Sequence, residues 1–286
     1  MNRQVDWLGV VGLVCTMGFA GSALAQSTWD LSTSTCDPTG SGTNTTAGCT
    51  VGGISATVEG WSTSTTSSAS LLQRATLTDQ GSSGIGMTSS GETSGSPNHA
   101  IDSSGQDELV LINFGTDKVS LSQFWTGWSY NDTDISLLRW DGGTSGPDLT
   151  TMSLTGSNPD TALTSSGWSM VRSADLDGTS SNSNATFGGK NSGALSNMGS
   201  SSWWIITAYY GDYGGTTSGS LDKNNDYFKL LKFAGACTSN IYGGACGTLD
   251  NPNPNNPVPE PASLALVAVA LLGAGYSRRR RQQRRS

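Results

Sequence analysis

The run WWIITAYY at residues 203–210 decides the fold class. It consists almost entirely of β-branched and aromatic residues, which are the types that favour β-strands. A second run, ELVLINF at residues 108–114, is nearly continuous in apolar residues. Such a run is typical of a strand that is buried on both faces of its sheet. Together the two runs predict a β-rich core.

Shorter runs of the same kind surround these two, and turn-forming residues separate them. They lie at residues 51–58, 71–78, 118–125, 134–140, 168–172 and 227–233. We find no amphipathic helical pattern between them. The sequence therefore predicts an all-β fold, an antiparallel β-sandwich for which a jelly-roll arrangement is one alternative.

Long segments rich in Ser, Thr and Gly connect the predicted strands, at residues 62–70, 81–96, 173–202 and 211–220. Loops of this length are uncommon in compact domains and are functional or mobile. A polar composition of this kind is also found in disordered chains, but eight tryptophans lie beyond the first 25 residues and supply apolar area for a core. We therefore place one sandwich domain at residues 26–249, followed by an Asn/Pro-rich extended linker at 250–257.

The first 25 residues have the pattern of a secretory signal peptide. Arg3 precedes an apolar stretch at residues 8–20, and Ala23-Leu24-Ala25 forms an A-x-A site before Gln26. We expect cleavage between Ala25 and Gln26. The alternative is an uncleaved N-terminal anchor.

A short motif, an apolar segment and a basic cluster follow one another at residues 258–286. The motif is Pro259-Glu260-Pro261, the apolar segment is 262–276, and the basic cluster at 278–285 begins with Arg278, Arg279, Arg280 and Arg281. The apolar segment predicts one short transmembrane helix, and the positive-inside rule keeps the arginines in the cytoplasm. The motif then lies on the far side of the membrane. The alternative is a tail anchor that is never cut.

This tail resembles the PEP-CTERM sorting signal. The resemblance implies that exosortase, a polytopic membrane protease resembling a transpeptidase, recognises and removes the tail in Gram-negative bacteria that make exopolysaccharide. The precursor would be held in the inner membrane by its tail alone, and the mature protein would be secreted or displayed on the surface. The resemblance implies nothing about the fold of the body.

Scattered short blocks of the body form a second pattern. They are Ser96-Pro97-Asn98-His99-Ala100-Ile101-Asp102, Leu109 to Phe114, Gly127-Trp128, Asp132-Thr133-Asp134-Ile135 and Tyr227-Phe228-Lys229-Leu230-Leu231. Through these blocks the body resembles a family of exosortase-dependent surface proteins. That resemblance implies a secreted or surface-displayed protein with no assigned enzymatic activity.

The charge of the exported part excludes one class of partner. Seven of the 15 Lys and Arg and two of the 22 Asp and Glu lie in the two signals, which leaves eight basic and 20 acidic residues and a net charge near −12. A body this acidic should stay soluble and avoid nucleic acid and anionic lipid.

Four cysteines remain after the signal peptide, which contains Cys15, is removed. An even number in an oxidising compartment predicts disulfides. Three pairings are open, and the simplest closes two local loops, Cys36 with Cys49 and Cys237 with Cys246. A zinc site is the alternative, although the chain has no C-x-x-C and its histidine is distant from both pairs.

One histidine lies near carboxylates, with His99 followed by Asp102, Asp107 and Glu108. Such a group can act as a general base, which would fit a secreted hydrolase. However, no G-x-S-x-G nucleophile motif accompanies it. We interpret His99 and Asp102 as hydrogen-bonding the loop before the strand at 108, and we expect no enzymatic activity.

Alternating acidic residues suit a calcium ion, which prefers oxygen ligands. They occur at Asp222-x-Asn224-x-Asp226 and at Asp132-x-Asp134. The first is not an EF-hand, because Tyr227 stands where Gly is needed and Phe233 where Glu is needed. The alternative is ordinary turn chemistry, in which Asp and Asn bond nearby backbone groups.

Aromatic side chains could stack on sugar rings, as they do in carbohydrate-binding sandwiches. The set is Trp125, Trp128, Tyr130, Trp140, Trp203, Trp204, Tyr209 and Tyr210. Trp203 and Trp204 are adjacent, so in a strand they point to opposite faces and at least one belongs to the core. Core packing is the alternative for the whole set.

These observations predict an exported surface or extracellular-matrix protein of structural or adhesive type. The main alternative is a carbohydrate-binding module for exopolysaccharide, and a secreted hydrolase is a further one. The partner that the tail implies is exosortase.

Overall fold

The computed structural model describes residues 26–33, 36, 45–64, 70–93, 95, 97, 99–131, 133–154, 163–175, 184–186, 198–209, 216–218, 221 and 225–247. The strands are β1 (Gln26–Asp30), β2 (Thr46–Val51), β3 (Ile54–Thr63), β4 (Ser70–Arg74), β5 (Thr76–Asp79), β6 (Ile85–Thr88), β7 (Ile101–Asp102), β8 (Glu108–Asn113), β9 (Asp117–Asn131), β10 (Asp134–Trp140), β11 (Ser153–Leu154), β12 (Trp168–Asp175), β13 (Asn184–Thr186), β14 (Trp203–Ala208), β15 (Thr216–Ser218) and β16 (Asp226–Asn240). Short 3₁₀ helices lie at Gly81–Ser83 and Leu149–Thr151.

The strands form two sheets, which confirms the predicted all-β sandwich in its general form. The first sheet has the order β13-β9-β16-β6-β5, with β1 and β7 also paired to β16. The second has the order β11-β4-β3-β8-β14-β10-β12-β15, with β2 paired to β3. The described pairings are antiparallel except for β12 with β15, which is parallel. The jelly-roll arrangement stays a prediction.

The main core lies between the two sheets. Trp29, Phe124 and Phe233 come from the first sheet, and they pack with side chains of the second sheet such as Ile112 and Trp204. The rings of Trp29 and Phe233 stack at 5.3 Å between centroids. Burial of these aromatic side chains supplies much of the apolar area that holds the sheets together.

A second core lies on the opposite face of the second sheet. In β8, Val110 and Ile112 face the main core, whereas Leu109 and Leu111 face the second one. Leu149, Met152 and Leu163 cover that outer side. The strands β8 and β14 are therefore buried on both faces, which confirms the interpretation of the continuous apolar run at 108–114.

Two predicted strands are divided in the structure. The expected strand at 51–58 is wrong, because Gly52 and Gly53 form the turn of the β2–β3 hairpin with φ of 59° and 81°. Glycine reaches these left-handed angles without the steric penalty of a Cβ. The run at 71–78 is interrupted at Ala75, where the chain passes from the second sheet (β4) to the first (β5).

Several segments expected as loops contain strands. β6 lies inside the predicted loop 81–96, β13 inside 173–202, and β15 inside 211–220. Gly and Asn within these segments do not favour strands, but the neighbouring strands β5, β9 and β12 offer backbone partners. Tertiary pairing therefore overrides local preference in these segments.

Candidate functional site

Four carboxyl groups lie near the end of β7 and the start of β8. This acidic cluster consists of Glu92, Asp102, Asp107 and Glu108. Glu92 lies in the turn after β6, Asp102 ends β7 and Glu108 opens β8. Asp102 and Glu108 are each only 1% exposed.

Hydrogen bonds hold the cluster together. The Asp102 backbone N–H donates to Glu108 Oε2 at 3.1 Å, and the Ser89 hydroxyl donates to Glu108 Oε1. The Ser89 backbone N–H donates to Glu92 Oε2 at 2.7 Å. Asp102 Oδ1 accepts from the Ser104 N–H at 2.8 Å. Glu108 thus connects the turn at Ser89 and Glu92 to Asp102.

The loop between Asp102 and Glu108 is fixed to both sheets. The Ser103 N–H donates to the Asp226 carbonyl of β16, and the Asp226 N–H donates back to Ser103 Oγ at 3.2 Å. On the other side, Gln106 Nε2 donates to the Thr63 carbonyl of β3 at 2.5 Å. These bonds fix the position of the loop from which Asp102 and Glu108 extend.

Burial makes the cluster electrostatically unfavourable when it is ionised. Desolvation raises the pKa of Asp102 to about 8, with further contributions from Glu92 and Asp107. Desolvation also raises the pKa of Asp107 to about 6. The pKa of Glu108 is raised well above its ordinary value by burial and then by Asp102 and Glu92. Burial raises the pKa of Glu92 as well, although its hydrogen bonds oppose the shift.

His99 lies at the edge of this region, and no hydrogen bond joins it to Asp102 among the described residues. Partial burial, followed by the charge of Lys229, lowers the pKa of His99. The geometry brings Asp102 and Glu108 together but leaves the histidine outside the hydrogen-bond network. The predicted loop role is confirmed for Asp102 by its bond to Ser104. For His99 it stays a prediction.

The structure brings together one residue from each predicted calcium motif. The Asp134 N–H donates to Asp226 Oδ1 at 2.6 Å, and both residues are buried. This bond connects the start of β10 in the second sheet to the start of β16 in the first. Asp132, Asp222 and Asn224 lie outside the described residues.

Both disulfides are local. Cys36 is bonded to Cys49, with 4.4 Å between their Cα atoms, and Cys237 is bonded to Cys246, with 6.1 Å. Asp117 lies near the second pair and accepts from the Gly247 N–H at 3.0 Å. Because the sulfurs are bonded to each other, they are not the thiolates that a zinc site requires.

The aromatic set divides into a buried and a surface part. Trp203 and Trp204 point to opposite faces of β14, as expected, and both are buried, Trp203 in the second core and Trp204 in the main core. Tyr209 is buried in the second core as well, and Trp140 is half-buried at its edge. Tyr210 lies outside the described residues.

Trp125, Trp128 and Tyr130 of β9 form an aromatic strip on the outer face of the first sheet. The rings of Trp128 and Tyr130 are nearly parallel, at 6° and 6.0 Å between centroids. Tyr130 is 55% exposed. Strict alternation would put residues 125 and 128 on opposite faces, but a bulge at Gly127 restores a common face.

Two lysines of β16 accompany the strip. Lys229 Nζ lies 4.6 Å from the Trp128 ring centroid, and Lys232 Nζ lies 4.8 Å from that of Trp125. Both distances are within the range of a cation–π interaction. A second bulge at Leu231 brings Lys232 to the same face as Lys229. The strip thus combines flat apolar rings with positive charge on an acidic body.

The predicted sorting residues lie outside the described residues. These are Pro259, Glu260, Pro261, the arginines 278–281 and Ala25 at the signal cleavage site, while Gln26 opens β1. In the part of the chain that the structure describes, no helix is long and apolar enough to cross a bilayer. The predicted membrane segment at 262–276 is not in that part.

Comparison with protein families identifies the tail. The family model of the PEP-CTERM protein-sorting motif matches residues 257–281. The chain therefore carries a PEP-CTERM sorting motif. The motif marks a target of exosortase that crosses the membrane and is sorted to the surface or the extracellular space. No curated protein and no solved structure was found to match the chain.

Sequence reasoning missed Glu92, Lys229 and Lys232 as parts of these sites. Glu92 follows Ser89 by three residues, a spacing that is compatible with a turn and could have drawn attention to it. The lysines carry no such signal, because their position beside the tryptophans depends on two bulges. A bulge changes which residues share a face and is not visible in alternation.

Proposed function

We propose that this PEP-CTERM protein is a structural or adhesive component of the cell surface or the extracellular matrix. In this proposal exosortase cleaves the precursor at or near Pro259-Glu260-Pro261. The observation that carries the proposal is the sorting motif at 257–281, which follows a disulfide-bonded sandwich in the same chain. Local disulfides are typical of proteins that fold in an oxidising compartment.

The experiment for this proposal is mass spectrometry of the two ends of the protein, recovered separately from membranes and culture fluid. We expect an N-terminus at Gln26 and a C-terminus at or near the Pro-Glu-Pro motif in the released protein. Replacing Pro259, Glu260 and Pro261 by Ala should keep the protein in the inner membrane. Replacing Pro252 and Pro254 of the linker by Ala is the matched control.

An intact Arg-rich tail found only in the inner membrane would contradict the proposal. The protein would then be a tail-anchored periplasmic protein, and a matrix role would no longer apply.

The aromatic strip favours a second candidate function, the binding of a polysaccharide. Flat rings that are partly exposed on one sheet face offer stacking surfaces for sugar rings. Lys232 is partly exposed and adds positive charge beside Trp125, which favours an acidic polysaccharide over a neutral one. Lys229 is buried and contributes by packing against Trp128. Exopolysaccharide is the ligand class that the sorting motif suggests.

Isothermal titration of the mature body with the purified exopolysaccharide separates a binder from a purely structural protein. Tyr130→Ala should weaken binding, because Tyr130 is the most exposed ring of the strip. Tyr242→Ala is the control, since Tyr242 is 53% exposed but lies in the turn after β16. Equal affinity in both variants, or no binding by the wild type, would exclude the strip as the site.

The proposal includes no enzymatic activity. A hydrolase screen of the wild type and of His99→Ala tests this part. Turnover in the wild type that disappears in the variant would restore the hydrolase alternative.

A further inference from the structure

The acidic cluster contains two fully buried carboxyl groups without a basic partner in the described structure. The described residues form two ion pairs, Arg74 with Glu59 and Arg139 with Asp141, and neither involves the cluster. An ionised carboxylate that is removed from water without a positive partner is energetically unfavourable. Either protonation of the carboxylates or a bound cation can offset that cost in the acidic cluster.

Asp102 has an oxygen that the protein leaves without a partner. Its Oδ1 atom accepts from Ser104, but Oδ2 is buried and accepts no hydrogen bond. The Glu108 carboxylate lies close by, since its Oε2 accepts from the Asp102 backbone N–H at 3.1 Å. A buried acceptor without a partner, next to a second buried carboxylate, is suited to a cation.

We propose that the acidic cluster binds a hard divalent cation of the Ca²⁺ class, with Asp102 Oδ2 as the central ligand and the carboxylates of Glu92 and Glu108 beside it. The donors are oxygens throughout, as such ions require, and no free thiol is near. This place differs from the Asp132–Asp134 and Asp222–Asp226 motifs. It is carried by the chain segment between Ser89 and Glu108 alone.

Binding requires a small movement of one ligand. Among the described residues, no three carboxylates bring their oxygens within 4.8 Å of one another. Asp102 and Glu108 are fixed by the bonds of their loop to β3 and β16, whereas Glu92 lies half-buried in the turn that begins at Ser89. Glu92 is therefore the ligand that moves inward. Ca²⁺ accepts this because its coordination geometry is tolerant.

The test uses the mature body, freed of metal with a chelator and then titrated with CaCl₂ by calorimetry and thermal unfolding. We expect a saturable rise in Tm, because a ligand that binds only the folded state stabilises it. Asp102→Asn keeps the size of the side chain and removes one charge. It should weaken binding by roughly tenfold or more, since calcium affinity follows the number of charged ligands.

Two control variants and a second ligand variant make the result decisive. Asp148→Asn removes an exposed carboxylate that caps the Leu149–Thr151 helix, where Asn caps equally well, so its calcium response should equal that of the wild type. Glu92→Gln changes a half-buried position and gives a second variant if Asp102→Asn does not fold. Asp134→Asn tests the alternative that the ion binds at the contact between Asp134 and Asp226.

The proposal is overturned by either of two results. One is a wild-type protein whose Tm and heat of titration do not respond to millimolar calcium. The other is a calcium response that persists in Asp102→Asn and Glu92→Gln but is lost in Asp134→Asn, which would place the ion between β10 and β16. Neither result depends on whether the aromatic strip binds a polysaccharide.

Discussion

Glu108 places an ionisable group at the first position of a strand that is otherwise apolar, and its burial has a measurable consequence. In chelator-treated protein, the free energy of unfolding should fall as the pH rises from about 4 to about 8. The folded state holds its protons to higher pH than the unfolded state, because the pKa of Asp102 is raised to about 8 and that of Asp107 to about 6. The stability that protonation contributes is therefore fully present below the pKa values that these groups have in the unfolded chain. It is lost as the pH rises through the higher pKa values that they have in the folded protein.

Urea unfolding at several pH values checks this sign. Glu108→Gln should flatten the dependence, because it removes one carboxyl whose pKa is raised in the folded state. Burial raises the pKa of Glu108 most, followed by the charges of Asp102 and Glu92, so the slope reports on the cluster as a unit. A wild type that gains stability between these pH limits would contradict the raised pKa values.

Gly127 is a second residue with a specific structural reason. A Cβ at this position would collide with the backbone carbonyl of Ser83, which is not free to rotate away. Gly127→Ala should therefore lower the free energy of unfolding by about 1–3 kcal/mol, as overpacking does. Gly95→Ala is the control, since a Cβ there meets nothing within 4 Å. Equal chemical-denaturation midpoints for the two variants would show that the bulge relaxes without strain.

Single residues show where sequence reasoning succeeds and where it ends. The opposite directions of Trp203 and Trp204 follow from the geometry of any strand, and the structure confirms them. The burial of Trp203 does not follow, because it depends on the chain around Leu149 and Leu163 that covers the outer face. The acidic cluster was partly visible as neighbours in sequence, but the absence of a hydrogen bond to Asp102 Oδ2 is a three-dimensional property.

At the scale of elements, the disulfide between Cys36 and Cys49 ties the segment after β1 to β2. Replacing both cysteines by Ser should lower the free energy of unfolding by about 3 kcal/mol, because a cross-link of this loop length restricts the unfolded chain. Urea unfolding in the absence of reductant measures the loss. The Cys237–Cys246 pair closes a shorter loop and should show a slightly smaller effect. A midpoint unchanged by both double variants would mean that packing alone fixes these segments.

Strands were predictable where burial on both faces dictates their composition, as in β8 and β14. They were missed where the strands are only three or four residues long, as in β6, β13 and β15, since a neighbouring strand selects the extended backbone of so short a segment. The pair Gly52-Gly53 is a hairpin signal that was overlooked within an apparently alternating run. Sheet order was not predictable, because β-pairing is a long-range property of the chain.

At the scale of the whole molecule, both cores and both sheets are built from residues between 26 and 247. A protein that ends at Gly247 should therefore unfold at the same Tm as the exported full body, as measured by circular dichroism. Extending the chain through the linker to Pro257 is the control. A lower Tm for the shorter protein would show that the linker contributes to the fold.

The connectivity of the first sheet also determines when this protein can fold. β1, β6, β7 and β9 all pair with β16, and β16 is the last strand of the described chain. Synthesis proceeds from the N-terminus, so these strands wait without their common partner until nearly the whole body has been made. Completion of the first sheet is thus a late event. If synthesis stops early, or a protease cuts before residue 226, the fragment lacks β16. The backbone edges of its partner strands then stay unpaired, and such a fragment is a target for chaperones and proteases.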